Sequence, residues 1–276
     1  MVIKNSIYNN LINSYDLKKI IKDKNTKIID CRWFLGNPNK GYSDYLKSHI
    51  PSAIFFDIDK ISNNKTQLPH MLPKYNTFNS YVNKSGINKN NLVIIYDQYG
   101  FFSSSRVWFI FKNYGFEKVK ILNGGFQAWK NIKYKTACAK IKTKYSRTFV
   151  SKNFQKNVVD KAEVKKSTKS DKKIIIDARP SNRFLGQVPE PRPLLRKGNI
   201  LKSINVPFNK VYDLTGKIKN KTDLIKIFKN LSKNKEVICY CGSGVTACNL
   251  IFALNLLNFT NIKLYDGSWA EWGKKE

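Results

Sequence analysis

The chain has 276 residues, 42% hydrophobic and 13% aromatic, enough apolar side chain to bury one large core or two of about 130 residues each. That content excludes an intrinsically disordered polymer, and no run approaches the roughly 20 uninterrupted apolar residues of a membrane span. Fifty Lys and Arg face 19 acidic residues for a net charge of +31, a field that attracts nucleic acid or anionic ligands.

Only seven of the fifty are Arg, and the 43 Lys are scattered along the whole chain among Asn, Ile and Tyr. The charge therefore reads as a drift in surface composition, not as a nucleic-acid patch. The start, MVIKNSIYNNLINSYD, lacks a compact apolar signal core. The five cysteines are odd in number and sparse, with no paired CxxC of a zinc site. These features predict a cytoplasmic protein in a reducing compartment, with no membrane partner, no metal and no organic cofactor.

In chain order, Ser14 with Asp16 is the predicted N-cap before the amphipathic LKKIIK. Short β-branched apolar runs ending in Asp or Cys follow: KIIDCR (27–32), LVIIYD (92–97) and VKIL (119–122). They alternate with stretches of helical length, the pattern of a parallel α/β sheet. A polar, basic, aperiodic segment is then expected to act as a linker over 137–152. Beyond it the runs recur as KIIIDAR (173–179), EVICYC (236–241) and IKLYDG (262–267), with Thr222 and Asp223 the predicted cap before LIKIFKNL.

The spacing between copies is nearly constant. Asp30 to Asp177 is 147 residues, Asp97 to Cys241 is 144 and Trp129 to Trp272 is 143. The chain is thus expected to be α/β, with two tandem domains, 1–136 and 153–276, each a mostly parallel sheet flanked by helices.

The sharpest local signal is the segment in which EVICYC runs into Gly242-Ser243-Gly244 and then the apolar VTACNLIFALNLL. A strand, a glycine turn and a helix N-terminus put the Cys241 sulfur at the carboxyl edge of a parallel sheet, where such sheets bind ligands. Glycines let the loop curl so that backbone N–H groups point inward, and the helix dipole adds positive potential. That field favours a thiolate. A free cysteine is ordinarily a small core hydrophobe, and Cys239 and Cys248 are read that way. Cys241 differs because a loop built for close approach follows it.

Asp-x-Arg after the first strand, His-Ile-Pro after the first helix, a loop after the central strand and a closing GG-or-GS-x-x-x-W segment together resemble the rhodanese domain, in tandem over nearly the full chain. CGSGVTAC, DGSWAEWG, RFLGQVPEPRP, and FFDID followed by HMLP resemble the branch of 3-mercaptopyruvate sulfurtransferases. The resemblance implies a persulfide-forming enzyme whose first copy is catalytically empty and serves as a wall of the cleft. The sequence fits, because Asp97 stands where Cys241 stands in the second copy.

Attack of a Cys241 thiolate on the sulfur of a mercapto-acid expels a carbanion or enolate, so a proton donor is required. Of the two histidines, His49 sits in SHIPSA and is expected to bond local backbone, whereas His70 lies in the Pro-flanked loop QLPHMLP and is the candidate for proton chemistry. The resemblance implies a relay of Asp59, His70 and Ser243; the alternatives are a helix cap or turn for Asp59 and a loop hydroxyl for Ser243. The carboxylate of a 2-oxo acid suits a planar guanidinium, and by resemblance Arg183 and Arg192 clamp the substrate, with Gly242, Gly244, Val245 and Thr246 completing its binding loop. Arg32 and Arg179 are expected to pair with carboxylates of the domain cores, and Arg196 to be a solvated charge.

The loop chemistry separates relatives. A thiosulfate-preferring enzyme would carry basic side chains directly after the nucleophile, whereas Gly242 and Ser243 are neutral, and a cysteine phosphatase needs Arg where Ala247 stands. The second copy also replaces the expected His and Pro of its turn with Gly198-Asn199-Ile200-Leu201-Lys202-Ser203, which predicts altered loop geometry. The expected activity is sulfur transfer from 3-mercaptopyruvate through Cys241 to a thiol, a thioredoxin-like protein or cyanide. The alternatives are thiosulfate:cyanide sulfur transfer and a non-enzymatic RNA-associated or sulfur-carrier adaptor, whose RNA affinity would fall steeply with salt.

Overall fold

The computed structural model describes residues 10–99, 102–147 and 157–275. The chain divides into two compact units, Met1–Asn63 with Pro73–Phe154 and Tyr212–Ile218, and Asn64–Leu72 with Gln155–Val211 and Lys219–Glu276. Of the expected linker at 137–152, residues 148–152 lie outside the described residues. Its described part is tied to the first unit, with the Ala137 and His49 backbones bonding each other and the Ser146 N–H donating to the Asn83 carbonyl.

Each unit contains one five-stranded parallel sheet. The first has β1 (Leu11–Ile12), β2 (Thr26–Asp30), β3 (Ala53–Phe55), β4 (Leu92–Tyr96) and β5 (Val119–Leu122), in the order β1-β5-β4-β2-β3. The second has β6 (Val158–Val159), β7 (Lys173–Asp177), β8 (Ile204–Asn205), β9 (Glu236–Tyr240) and β10 (Ile262–Tyr265), in the order β6-β10-β9-β7-β8. The six predicted strands form the three inner strands of each sheet. Their continuous apolar runs are buried on both faces, with Ile29, Ile94, Ile95, Ile176, Ile238 and Cys239 inaccessible to solvent. Among the described residues no helix is long and apolar enough to cross a membrane.

Helix starts lie earlier than the sequence predicts. Asn13, not Ser14, caps Ser14–Ile20, and Asn220, not Thr222, caps Lys221–Ile227; each asparagine accepts the N–H of an Asp three residues on and donates back to its carboxylate. Asn in an extended conformation reaches that amide, and the Asp then sits in the first turn where the dipole favours it.

The Asp-x-Arg pairs anchor both sheets. Asp30 binds the Arg32 Nε and Nη2, and the same Nη2 donates to the Ser48 carbonyl at 2.7 Å. Asp177 binds Arg179 in the same way, and Arg179 Nη2 donates to the Gly198 carbonyl at 2.7 Å. This pairing corrects the expectation of altered geometry at 198–203. Ile50 and Ile200 both give their N–H to a tyrosine hydroxyl of the central strand, Tyr96 at 3.1 Å and Tyr240 at 3.2 Å. Ser52 and Lys202, the corresponding residues, have φ of +65° and +61°. The arginine fork and the tyrosine hydroxyl specify the turn through its backbone, so the loss of His and Pro leaves it in place. His49 bonds the Tyr45 carbonyl through Nδ1 at 2.7 Å, the local backbone use expected of it.

Replacement of Arg32 by Leu strands a fully buried carboxylate and is expected to destabilise the protein by about 3–5 kcal/mol. Burial already raises the Asp30 carboxyl above the usual 3.8, against the pull of Arg32. A raised carboxyl favours the folded state when protonated, so the deficit in urea midpoint should be greatest at neutral pH and shrink as pH falls through the folded value.

Candidate active site

The second unit gathers most of the predicted residues at the carboxyl edge of its sheet. β9 delivers Cys241, and the loop 242–246 connects it to the helix Ala247–Leu256. Gly244 has φ +77°, a conformation that costs a side-chain-bearing residue about 1–2 kcal/mol. The carbonyls of Cys241 and Gly242 accept from the Trp269 and Ala270 amides, both at 2.9 Å, and those of Val245 and Thr246 accept from Cys248 and Asn249. In a trans peptide the next N–H points opposite to its carbonyl. The amides of Gly242, Ser243, Thr246 and Ala247 therefore face away from these partners.

The first unit has a carboxylate at the matching place. Asp97, 144 residues before Cys241, places its carboxylate against the N–H groups of Tyr99, Ser103 and Ser104 at 3.1, 2.8 and 3.0 Å. The loop of the first copy thus wraps an anion that the chain itself supplies.

Cys241 is 2% exposed, in contrast to the exposed sulfur that the strand-end position suggests. Two guanidiniums crowd the loop instead: a Cβ at Gly242 would lie 3.1 Å from Arg183 Nη2 and 3.8 Å from Arg192 Nη1. Glycine at 242 is what lets both approach. Burial lowers the pKa of the Arg192 guanidinium, the Cys241 sulfur opposes that shift and neighbouring Arg183 adds to it. Arg183 is set by Glu190, which it binds through Nε and Nη2 and which also accepts from Arg179 Nη1 at 2.8 Å. Glu190 was not legible as a site residue, since only its place in the arginine-flanked stretch 183–192 marks it.

Ser243 is buried, and its hydroxyl lies 2.9 Å from His70 Nδ1. His70 belongs to the second unit through the segment Asn64–Leu72 and has a left-handed φ of +57°. Asp59 lies in the first unit and accepts from Trp33 Nε1 at 3.1 and 3.0 Å. The cap of that helix, Ile58–Ile61, is Asp57, so Asp59 is not spent as a cap. Arg196 is exposed, as a solvated charge is expected to be, and its Nη2 also donates to the Trp272 carbonyl at 3.0 Å. Among the described residues no group of three His, Cys, Asp or Glu is placed to hold a metal ion.

The model of the Rhodanese-like domain matches residues 14–132 and again 160–275. The chain belongs to the rhodanese family. Among its relatives, a probable 3-mercaptopyruvate sulfurtransferase of Schizosaccharomyces pombe is 40% identical over 260 residues, covering 91% of this chain and 87% of the relative. The 3-mercaptopyruvate sulfurtransferase of Escherichia coli K12 is 37% identical over 263 residues, 94% of this chain and 93% of the relative. The crystal structure of SseA from Escherichia coli superposes with a TM-score of 0.85 at 34% identity, covering 94% of this chain and 98% of that one. This rhodanese pair is therefore duplicated in fold and unequal in chemistry, with sulfur at the strand end of one copy and a carboxylate at that of the other.

Substitution of Gly244 by Ala in the rhodanese loop is expected to lower the urea midpoint by an amount equivalent to about 1–2 kcal/mol. Gly242→Ala, whose new methyl meets only the flexible ends of arginine side chains, should leave stability nearly unchanged.

Proposed function

We propose that the chain is a sulfurtransferase that takes sulfur from 3-mercaptopyruvate onto Cys241 and passes it to a thiol acceptor. The observation that carries this reading is the convergence of a strand-end cysteine, two arginines beside Gly242 and a serine–histidine pair on one loop.

In the proposed cycle Arg183 and Arg192 bind the carboxylate and carbonyl of the oxo acid, a task suited to a planar fork. The Cys241 thiolate attacks the substrate sulfur, forming an S–S bond as the C–S bond breaks, and the bonding electrons leave with the pyruvate enolate. Ser243 gives its proton to the enolate carbon and recovers one through His70, its neighbour at 2.9 Å. The result is pyruvate and a persulfide on Cys241, which the loop amides from Gly242 to Thr246 stabilise as Tyr99, Ser103 and Ser104 stabilise Asp97. An acceptor thiolate, either a small thiol or a thioredoxin-like protein, then attacks the outer sulfur and releases the Cys241 thiolate. All five cysteines are free, which suits a reducing compartment such as the cytoplasm.

Thiosulfate is the second donor to consider. Gly242 and Ser243 add no charge, but the two guanidiniums beside Gly242 offer seats to a dianion. Two Arabidopsis thaliana relatives, 35% and 33% identical, carry both donors in their names.

Intact mass after incubation with 3-mercaptopyruvate should show one added sulfur, mapped to the Cys241 peptide and absent in Cys241→Ser. The reading is overturned if the sulfur maps elsewhere or if Cys241→Ser retains turnover. Arg183→Lys and Arg192→Lys should mainly raise KM for the oxo acid, and steady-state rates with both donors decide the preferred one.

A further inference from the structure

The turn Asp266-Gly267-Ser268, directly after β10, touches both parts of this site. Ser268 Oγ accepts from the Cys241 N–H at 3.1 Å and donates to the Tyr265 carbonyl at 2.8 Å. The Asp266 carboxylate accepts from the Leu72 N–H at 2.7 Å, two residues beyond His70. Asp266 is 4% exposed and Ser268 is fully buried.

The backbone of Ser268 is unusual for its side chain, since its φ is +50°, in the left-handed region that favours glycine. The first copy has glycine at the matching place, Gly125, with φ +58°. The residues before them differ, Gly124 being left-handed at φ +84° and Gly267 right-handed at −60°, but the left-handed position itself is kept, without strain on glycine in the first copy and with strain on Ser268 in the second, where the hydroxyl gains the Cys241 amide. Strain of this kind persists where the surroundings over-determine it. Asp266 has its own counterpart, Asn123, which accepts the Ile218 N–H at 2.9 Å within the first unit. In the second unit the equivalent tether holds the segment that carries His70.

We propose that Asp266 and Ser268 are positioning residues that set the register between the nucleophile and its proton relay. Ser268 fixes the Cys241 backbone, and Asp266 fixes the His70 segment so that the imidazole meets Ser243. The proposal rests on the reading of Cys241, Ser243 and His70 given above.

The two roles separate by reaction. Alkylation of Cys241 by iodoacetamide needs only the nucleophile, because iodide leaves without a proton. Turnover of 3-mercaptopyruvate also needs the relay. Asp266→Ala should lower kcat by about ten- to a hundredfold, the range expected for a misplaced catalytic group, without slowing alkylation of Cys241. Asp266→Asn keeps an acceptor and should restore most of kcat. Ser268→Gly keeps the left-handed backbone but loses the hydroxyl, so it should slow both alkylation and turnover. If Asp266→Ala does not fold, Asp266→Ser shortens the acceptor and reads the same split. The proposal is overturned if the Asp266 variant slows both reactions or neither, or if Ser268→Gly slows neither. Failure of the underlying reading is distinct: it appears as retained turnover in Cys241→Ser, whatever the turn variants do.

Discussion

A buried guanidinium must be surrounded by acceptors, and the arrangement at the carboxyl edge of each sheet follows from that requirement. Arg32 and Arg179 are almost inaccessible, so each needs a carboxylate and a carbonyl within reach. Asp30 and Asp177 supply the first, Ser48 and Gly198 the second. The strand end, the turn before the next strand and the central tyrosine are fixed together by one desolvated fork. In the second unit the network extends one step further. Arg179 also binds Glu190, Glu190 binds Arg183, and Arg183 lies beside Gly242. The same charge pairing that closes the core thus sets a guanidinium beside the loop that follows Cys241.

The two copies differ by what occupies the loop after the central strand. A ring of inward-facing amides is an anion site, and an unfilled one carries the cost of unsatisfied donors. In the first copy Asp97 fills it permanently and the loop becomes a structural element. In the second, Cys241 stands at the matching strand end, buried, with the guanidiniums of Arg183 and Arg192 beside the glycine that follows it. The copies are thus matched in fold and differ in the residue that their central strand delivers to this loop, Asp97 in one and Cys241 in the other. Two further differences, Ser268 for Gly125 and Asp266 for Asn123, lie at the turn that touches this loop.

What the sequence made legible was whatever repeats or needs a distinctive residue. The spacings of 147 and 144 residues between copies reappear in the pairing of Ile29 with Ile95 and of Ile176 with Cys239. Cys241 and the arginines stood out because few residue types can do their chemistry. The strands β1, β3, β6 and β8 did not, because two or three residues carry no periodicity. The turn at 198–203 was misread because its side chains changed while its determinants lie in Arg179 and Tyr240, far away in sequence. Glu190 and Asp266 were invisible for a related reason: each acts through a contact with a segment that only folding brings near.

Arginine usage shows how chemistry and composition divide the surface between them. In a chain with 43 Lys and seven Arg, Arg32, Arg106 and Arg179 are buried, Arg183 and Arg192 flank Gly242, and Arg196 bonds a main-chain carbonyl while lying over the Trp269 ring. Lysines meet paired acceptors or rings only where they keep access to water, as Lys173 does between Glu163 and Glu236, whereas the cations buried among the described residues are all planar forks. The net charge of +31 then acts on a different quantity from the site. Distributed lysines raise the local concentration of any anion and are screened by salt, whereas the Arg183 guanidinium beside Gly242 is fixed in place by Glu190. A diffuse field and a fixed fork are thus separate uses of positive charge in one chain, the first weakened by added salt and the second held by its buried partner.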